Sequence, residues 1–190
     1  MIQIDARGHD LTVVAFSGMA SKNRIYEWTR SFDGVNANFI GVRDDSRRWY
    51  QLETSDIAEV VRRAVVRAGG ARVMTIGASA GGFAALLFGR ILRADRILVW
   101  SPQSACGAIK RALGDNRWPD LCNRTPACDL EGVYPEAVVH VAADDPMDMM
   151  HARRLTPGRL IIHSSGGHNL PTMLKESGEL RWILDEAVAA

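Results

Sequence analysis

The segment RVMTIGASAGGFAALLFGR, residues 72–90, constrains this chain more than any other. A β-rich apolar run ends at Ile76. Gly77, Ala78, Ser79, Ala80, Gly81 and Gly82 follow, and then an apolar helical stretch. Gly77-Ala78-Ser79-Ala80-Gly81 matches G-x-S-x-G, and the strand before it and helix after it make the match specific. A serine in that context sits on a sharp turn with strained backbone angles. Small residues two before and two after it let neighbouring backbones approach. The hydroxyl then projects clear of the sheet, and the helix N-terminus favours negative charge developing beside it. A phosphate-binding glycine turn is the competing reading, but the P-loop lysine is missing and the spacing is not G-x-G-x-x-G. Ser79 is therefore the candidate nucleophile.

The rest of the chain alternates strand and helix. LTVVAF (11–16), NFIGVR (38–43), RVMTIG (72–77), RILVWS (96–101), AVVHVA (137–142) and RLIIHS (159–164) read as strands, and MIQID as an added edge strand. Such continuous apolar runs imply burial on both faces, as in a parallel sheet. Helical patterns lie between them. Residues 55–68 place Ile57, Val60, Val61, Ala64 and Val65 on one side, and 80–92 is apolar nearly all round. Residues 147–155 form a short candidate helix, and 170–188 a longer one with a break at Gly178. The alternation is that of a doubly wound α/β domain. One segment does not fit. Residues 103–135 carry three prolines, three glycines, Trp118 and all the cysteines, and read as an irregular insertion. It follows the carboxyl end of a strand, where α/β folds place ligands. Covering a site and merely filling space are equally good readings of it.

A chain of 190 residues, 47% hydrophobic, suits one domain over 1–190 with a sizeable core. The net charge of +1 and the lack of a basic block give nucleic acid no electrostatic footprint. Arg62, Arg63 and Arg67 read as a solvated helix face. No apolar stretch reaches membrane-spanning length, and the N-terminus lacks a signal-peptide pattern. Cys106, Cys122 and Cys128 are odd in number and contain no C-x-x-C pair. Free thiols in a reducing cytoplasm are expected, with a Cys122–Cys128 disulfide the alternative for an exported chain.

A serine hydroxyl needs a base. In a strand-turn-helix serine site the base comes last, after the final strand. His168 lies there, behind Ser164-Ser165-Gly166-Gly167. Of the other histidines, His163 ends the strand, His140 lies inside an apolar strand, His9 is in a distant turn, and His151 suits a helix cap or packing. The acid is expected after the preceding strand, where Asp144, Asp145 and Asp148 stand. Spacing alone does not choose among them. Asp144 or Asp145 suits the usual offset, while Asp148 also reads as an N-cap. The oxyanion donors are expected to be the backbone N–H of Ala80 and that of Ser17 or Gly18.

These elements carry a resemblance. The FSGM loop, Tyr26-Glu27-Trp28, and Arg43-Asp44 followed by Trp49-Tyr50 contribute to it. So do GASAGGFAALLFG, Ser101-Pro102-Gln103, DMMHARRL, and GGHNL leading into a GEL-containing helix. Over nearly its whole length the chain resembles the α/β-hydrolase superfamily. More narrowly, it resembles small hydrolase-like proteins associated with bacterial polysaccharide and glycan biosynthesis. The resemblance implies a minimal three-layer fold with a mainly parallel sheet of about six strands and no large lid. It favours Asp148 as the acid, with Asp145 second, and puts Arg43, Asp44 and Trp49 at the pocket edge. It implies a serine esterase without metal or cofactor, acting on a short-chain O-acyl, most simply O-acetyl, ester of a carbohydrate. An acyltransferase to a sugar and a non-catalytic accessory module in glycan assembly are the rivals.

Overall fold

The computed structural model describes residues 1–19, 28–52 and 54–189. In chain order the strands are β1 (Ile2–Asp5), β2 (Leu11–Phe16), β3 (Asn38–Val42), β4 (Arg72–Ala78), β5 (Arg96–Trp100), β6 (Ala105–Cys106), β7 (Cys128–Asp129), β8 (Gly132–Ala142) and β9 (Leu155–His163). The helices are α1 (Thr54–Ala68), α2 (Ala80–Leu92), α3 (Gly107–Ala112), α4 (Pro119–Asn123), α5 (Pro146–Arg153), α6 (Leu170–Glu176) and α7 (Glu179–Ala189). Seven strands form one sheet in the order β1-β3-β2-β4-β5-β8-β9. Only the edge strand β1 is antiparallel.

The two sheet faces are covered by different helices, which makes three layers. Strand side chains alternate between faces. Val14, Phe16, Ile40, Val99 and Val139 pack on one side against Phe83, Leu86 and Phe88 of α2 and Ala58 and Val61 of α1. Val13, Ala15, Phe39, Met74, Ile76 and Leu98 pack on the other against Leu170 and Leu174 of α6 and Leu180 and Leu184 of α7. The break expected at Gly178 separates those last two helices. On α1 the buried stripe is Ala58, Val61, Ala64 and Ala68. Val60, expected inside, is half exposed. Small alanines let α1 lie close to its neighbours, and the stripe rotates accordingly.

The expected irregular insertion has structure of its own. It holds α3, α4 and a two-stranded ladder in which Cys106 faces Cys128, and its last residues already belong to β8. The three cysteines are free thiols. The neighbour of Cys128 across the ladder is Cys106, not Cys122, and the adjacent Cys106 thiol lowers the pKa of the Cys128 thiol.

The turn from β4 to α2 works only with glycine on both sides of Ser79. A Cβ on Gly77 would lie 2.2 Å from the Gly81 carbonyl oxygen, and one on Gly81 would lie 2.3 Å from that of Phe16. Both obstacles are backbone and cannot swing aside. Gly77→Ala is therefore expected to lose about 1–3 kcal/mol or more, as overpacked sites do. Gly114→Ala, in open space at φ 84°, meets only backbone strain of about 1 kcal/mol. Urea unfolding of the two variants checks this, and equal losses would contradict the close approach.

Candidate active site

The parallel strands deliver their chemistry at one edge of the sheet, beyond their carboxyl ends, where open α/β sheets bind ligands. Ser79 follows β4 at φ 55°, ψ −120°, a strained conformation for a residue with a side chain. Three hydrogen bonds hold it there. Its N–H donates to Trp100 O, and its own carbonyl accepts from Phe83 N and Gln103 N.

His168 arrives on the loop after β9. That loop curls because Gly166 and Gly167 take positive φ, and because their N–H groups both donate to the Asp144 carboxylate. Its Nε2 lies 2.9 Å from Ser79 Oγ. Its Nδ1 lies 2.7 Å from Asp148 Oδ2 and 3.0 Å from Oδ1. A carboxylate only accepts, so Nδ1 carries the proton and the Nε2 lone pair faces the serine. The three acids after β8 thus separate by task. Asp144 holds the histidine loop. Asp145 is the N-cap of α5, accepting from Asp148 N at 2.9 Å. Asp148 is fully buried and meets His168. The cap expected at Asp148 sits three residues earlier.

Behind Asp148 and His168 lies a cluster of charges that no sequence expectation named. Arg117, from the insertion, places Nη1 2.7 Å from Asp148 Oδ1 and 2.8 Å from His168 Nδ1. Its Nε and Nη2 fork onto Asp115, which also meets Lys110 Nζ at 2.9 Å and His151 Nε2 at 2.9 Å. Lys110, Asp115, Asp148 and His151 are all at most 1% exposed. Burial pushes the Asp148 carboxyl up, but His168 and then Arg117 outweigh it and hold it below the usual carboxylate range. Burial likewise opposes Asp115, and His151, Arg117 and Lys110 hold it well below that range. An arginine, a lysine and an aspartate within eight residues of a Pro/Gly-rich stretch were the only signal, and nothing in their spacing pointed to Asp148.

A cavity of about 650 Å³ opens over Ser79 and His168. Met19, Trp28, Arg117, Trp118 and Lys175 contribute to its wall. The residues expected at the pocket edge lie elsewhere. Arg43, Asp44 and Trp49 do not line this cavity. Arg43 pairs with Asp45, and Asp44 accepts from the N–H groups of Ser46, Arg48 and Tyr50 to shape its own loop. Trp49 is fully buried, with its indole N–H on Gln103. The Ser17 N–H donates to Val42 O, and Gly18 lines the cavity. Tyr26 and Glu27 lie outside the described residues. Asp145, Asp148 and His168 bring ligand atoms within 4.8 Å of one another. The Arg117 guanidinium against both Asp148 and His168 opposes a divalent cation there.

No family model matches the chain, and no curated protein matches it by sequence. Solved structures do. The capsule O-acetyltransferase of Neisseria meningitidis serogroup A superposes with a TM-score of 0.71 at 15% identity, over 100% of this chain and 90% of that one. Est1E from Butyrivibrio proteoclasticus gives 0.58 at 10%, over 100% and 93%. The enol-lactonase from Burkholderia xenovorans LB400 gives 0.58 at 15%, over 97% and 95%. The fold is that of the α/β-hydrolases. Among the described residues of this α/β-hydrolase fold, no helix is long and apolar enough to cross a membrane.

The other histidines do not line this cavity. His151 packs beneath the site. His140 is buried, with Nδ1 3.0 Å from His163 Nε2. Burial, then His163 and Arg159, push the His140 imidazole down to about 3. The unfolded chain protonates this histidine near its ordinary value of about 6.5. Stability from keeping it neutral is thus present above about 6.5 and is lost as pH falls toward about 3. His140→Gln should show a smaller fall in urea midpoint between about pH 7 and about pH 4.5 than wild type. An unchanged fall would assign the acid sensitivity elsewhere.

Proposed function

We propose that the protein is a serine hydrolase that cleaves an ester through Ser79, His168 and Asp148. The observation that carries this reading is the unbroken hydrogen-bond chain from buried Asp148 through His168 to Ser79 Oγ, opening on a cavity. Ser79 Oγ attacks the ester carbonyl while His168 Nε2 takes its proton. Asp148 holds the Nδ1–H tautomer and balances the imidazolium. The Ala80 N–H, with an N–H of the Gly18 loop, stabilises the oxyanion, helped by the N-terminal end of α2. His168 returns the proton to the leaving alcohol, and water, activated by the same imidazole, releases the acyl group.

The favoured substrate is a short-chain O-acyl ester of a carbohydrate. The likeness to a capsule O-acetyltransferase supports it. So does Trp118, which lines the cavity and is 44% exposed, offering a ring face on which a sugar stacks. It stands at the pocket edge where Trp49 was expected. Transfer of the acyl group to a sugar is the second reading, favoured because a variant of that acetyltransferase is in complex with CoA. Product analysis of the acylated enzyme with water alone and with added oligosaccharide separates the two.

Ser79→Ala should abolish fluorophosphonate labelling and p-nitrophenyl acetate hydrolysis in a folded protein, and labelling that persists on another residue would refute the assignment. Asp148→Asn favours the wrong imidazole tautomer, a change that costs about 10⁴-fold in serine-protease triads. Asp145→Asn, by contrast, keeps a good N-cap and should stay within a few-fold. Reversal of that order would move the acid to Asp145. Trp118→Ala should raise KM for an acetylated sugar more than for p-nitrophenyl acetate. Equal effects on both would remove the argument for a sugar platform.

A further inference from the structure

The insertion supplies Arg117 to a site whose other members all follow strands of the main sheet. Asp148 is fully buried, and its two oxygens need partners. His168 satisfies Oδ2, whereas Oδ1 has Arg117 Nη1 at 2.7 Å. Asp148 without the arginine would be a buried carboxylate with one oxygen poorly satisfied, which is costly.

Arg117 is poorly suited to the other role an arginine in a cavity wall suggests, a receptor for an anionic substrate. Its Nε and Nη2 are committed to Asp115, and its side chain is only 26% exposed. The two aspartates it touches, with Lys110 on the far side, balance the two cations. Its position is that of a clamp. The short contact to His168 has a further consequence. Nη1 and Nδ1, 2.8 Å apart, are both N–H donors in the productive tautomer and cannot bond each other. They share one acceptor, Asp148, so the guanidinium competes with a protonated imidazole for that carboxylate.

We propose that Arg117 is a positioning residue of the triad, keeping Asp148 ionised and turned toward His168 Nδ1. This rests on the triad reading of Ser79, His168 and Asp148. The charged and titratable groups around the pair come from every element packed on it. Asp145 caps α5 and His151 lies within it, Asp144 lies beneath the histidine loop, Asp115 and Lys110 stand behind Arg117, and Lys175 projects from α6 into the same cavity. Among them, Arg117 alone touches both members of the pair.

The sign of its effect follows from both contacts. Without Arg117, the burial penalty on Asp148 is less offset and the carboxyl protonates at higher pH. The imidazolium also gains sole use of Asp148. Each change moves the acid limb of the pH–rate profile upward, and the limb reports the pair as a unit.

The test is the second-order rate of fluorophosphonate labelling as a function of pH, for wild type, Arg117→Gln, Arg117→Met and Arg117→Lys. Two neutral replacements guard against one failing to fold, and Met also fills the space of the arginine stem. The neutral variants should shift the acid limb up by about one pH unit. Arg117→Lys keeps the charge and should hold the limb near the wild-type position. A limb that stays put in a folded neutral variant, with slower labelling at every pH, would make Arg117 a mere strap and overturn the proposal. A limb displaced equally in Arg117→Lys would also overturn it. A wild type that never labels instead refutes the hydrolase reading on which it stands.

Discussion

The turn at Ser79 governs this architecture. A side chain at φ 55°, ψ −120° is held against its own preference, so the surroundings must determine it fully. They do so from three directions. β5 accepts the Ser79 N–H at Trp100, the first turn of α2 donates to its carbonyl from Phe83, and the segment after β5 donates from Gln103. The glycines at 77 and 81 let those backbones close in. The turn therefore requires β4 to sit centrally, with β5 beside it and α2 pressed onto the sheet. That is why α2 shows no polar face and buries nearly every residue of its first three turns.

Much of this was legible in residues 72–90. Strand, glycine-flanked serine and apolar helix specify the elbow locally, and long apolar runs specify a parallel sheet. The histidine loop was legible for a similar reason, since the glycine pair before His168 marks a curl after the last strand. What was not legible depends on contacts far apart in sequence. Val60 and Ala58 are equally compatible with a helical stripe, and only packing against a neighbour rotates the face. Trp49 and Trp118 are both tryptophans near polar residues, yet one fills the core and the other meets solvent. Arg117 lies 31 positions from Asp148, and no local pattern joins them.

The buried charges explain why the insertion is tied to the site. Lys110, Asp115, Arg117 and Asp148 would each be expensive to bury alone. Together they alternate in sign, and each carboxylate is shared. Breaking one pair would leave an uncompensated charge, which costs more than the intact pair gains. The arrangement is therefore better understood as specifying one docking of the insertion than as adding stability. A fold without a large lid can in this way bring a cation from a Pro/Gly-rich excursion to a fixed place beside Asp148.

Which of the three acids meets His168 follows from helix geometry. Asp145 occupies the N-cap of α5, so Asp148 is the third residue of the helix. A side chain there lies within the first turn, where the unpaired N–H groups and the helix dipole favour negative charge. In a capping box, that third residue reaches back to the N-cap amide. Asp148 instead turns toward His168 and Arg117, while Asp145 supplies the cap from the other side. The positive end of α5 and the guanidinium thus act together against the penalty of full burial. An acid at 144 or 145 would sit outside the helix without that support, and in this chain both are occupied in holding the loop and the helix that bring His168 and Asp148 together.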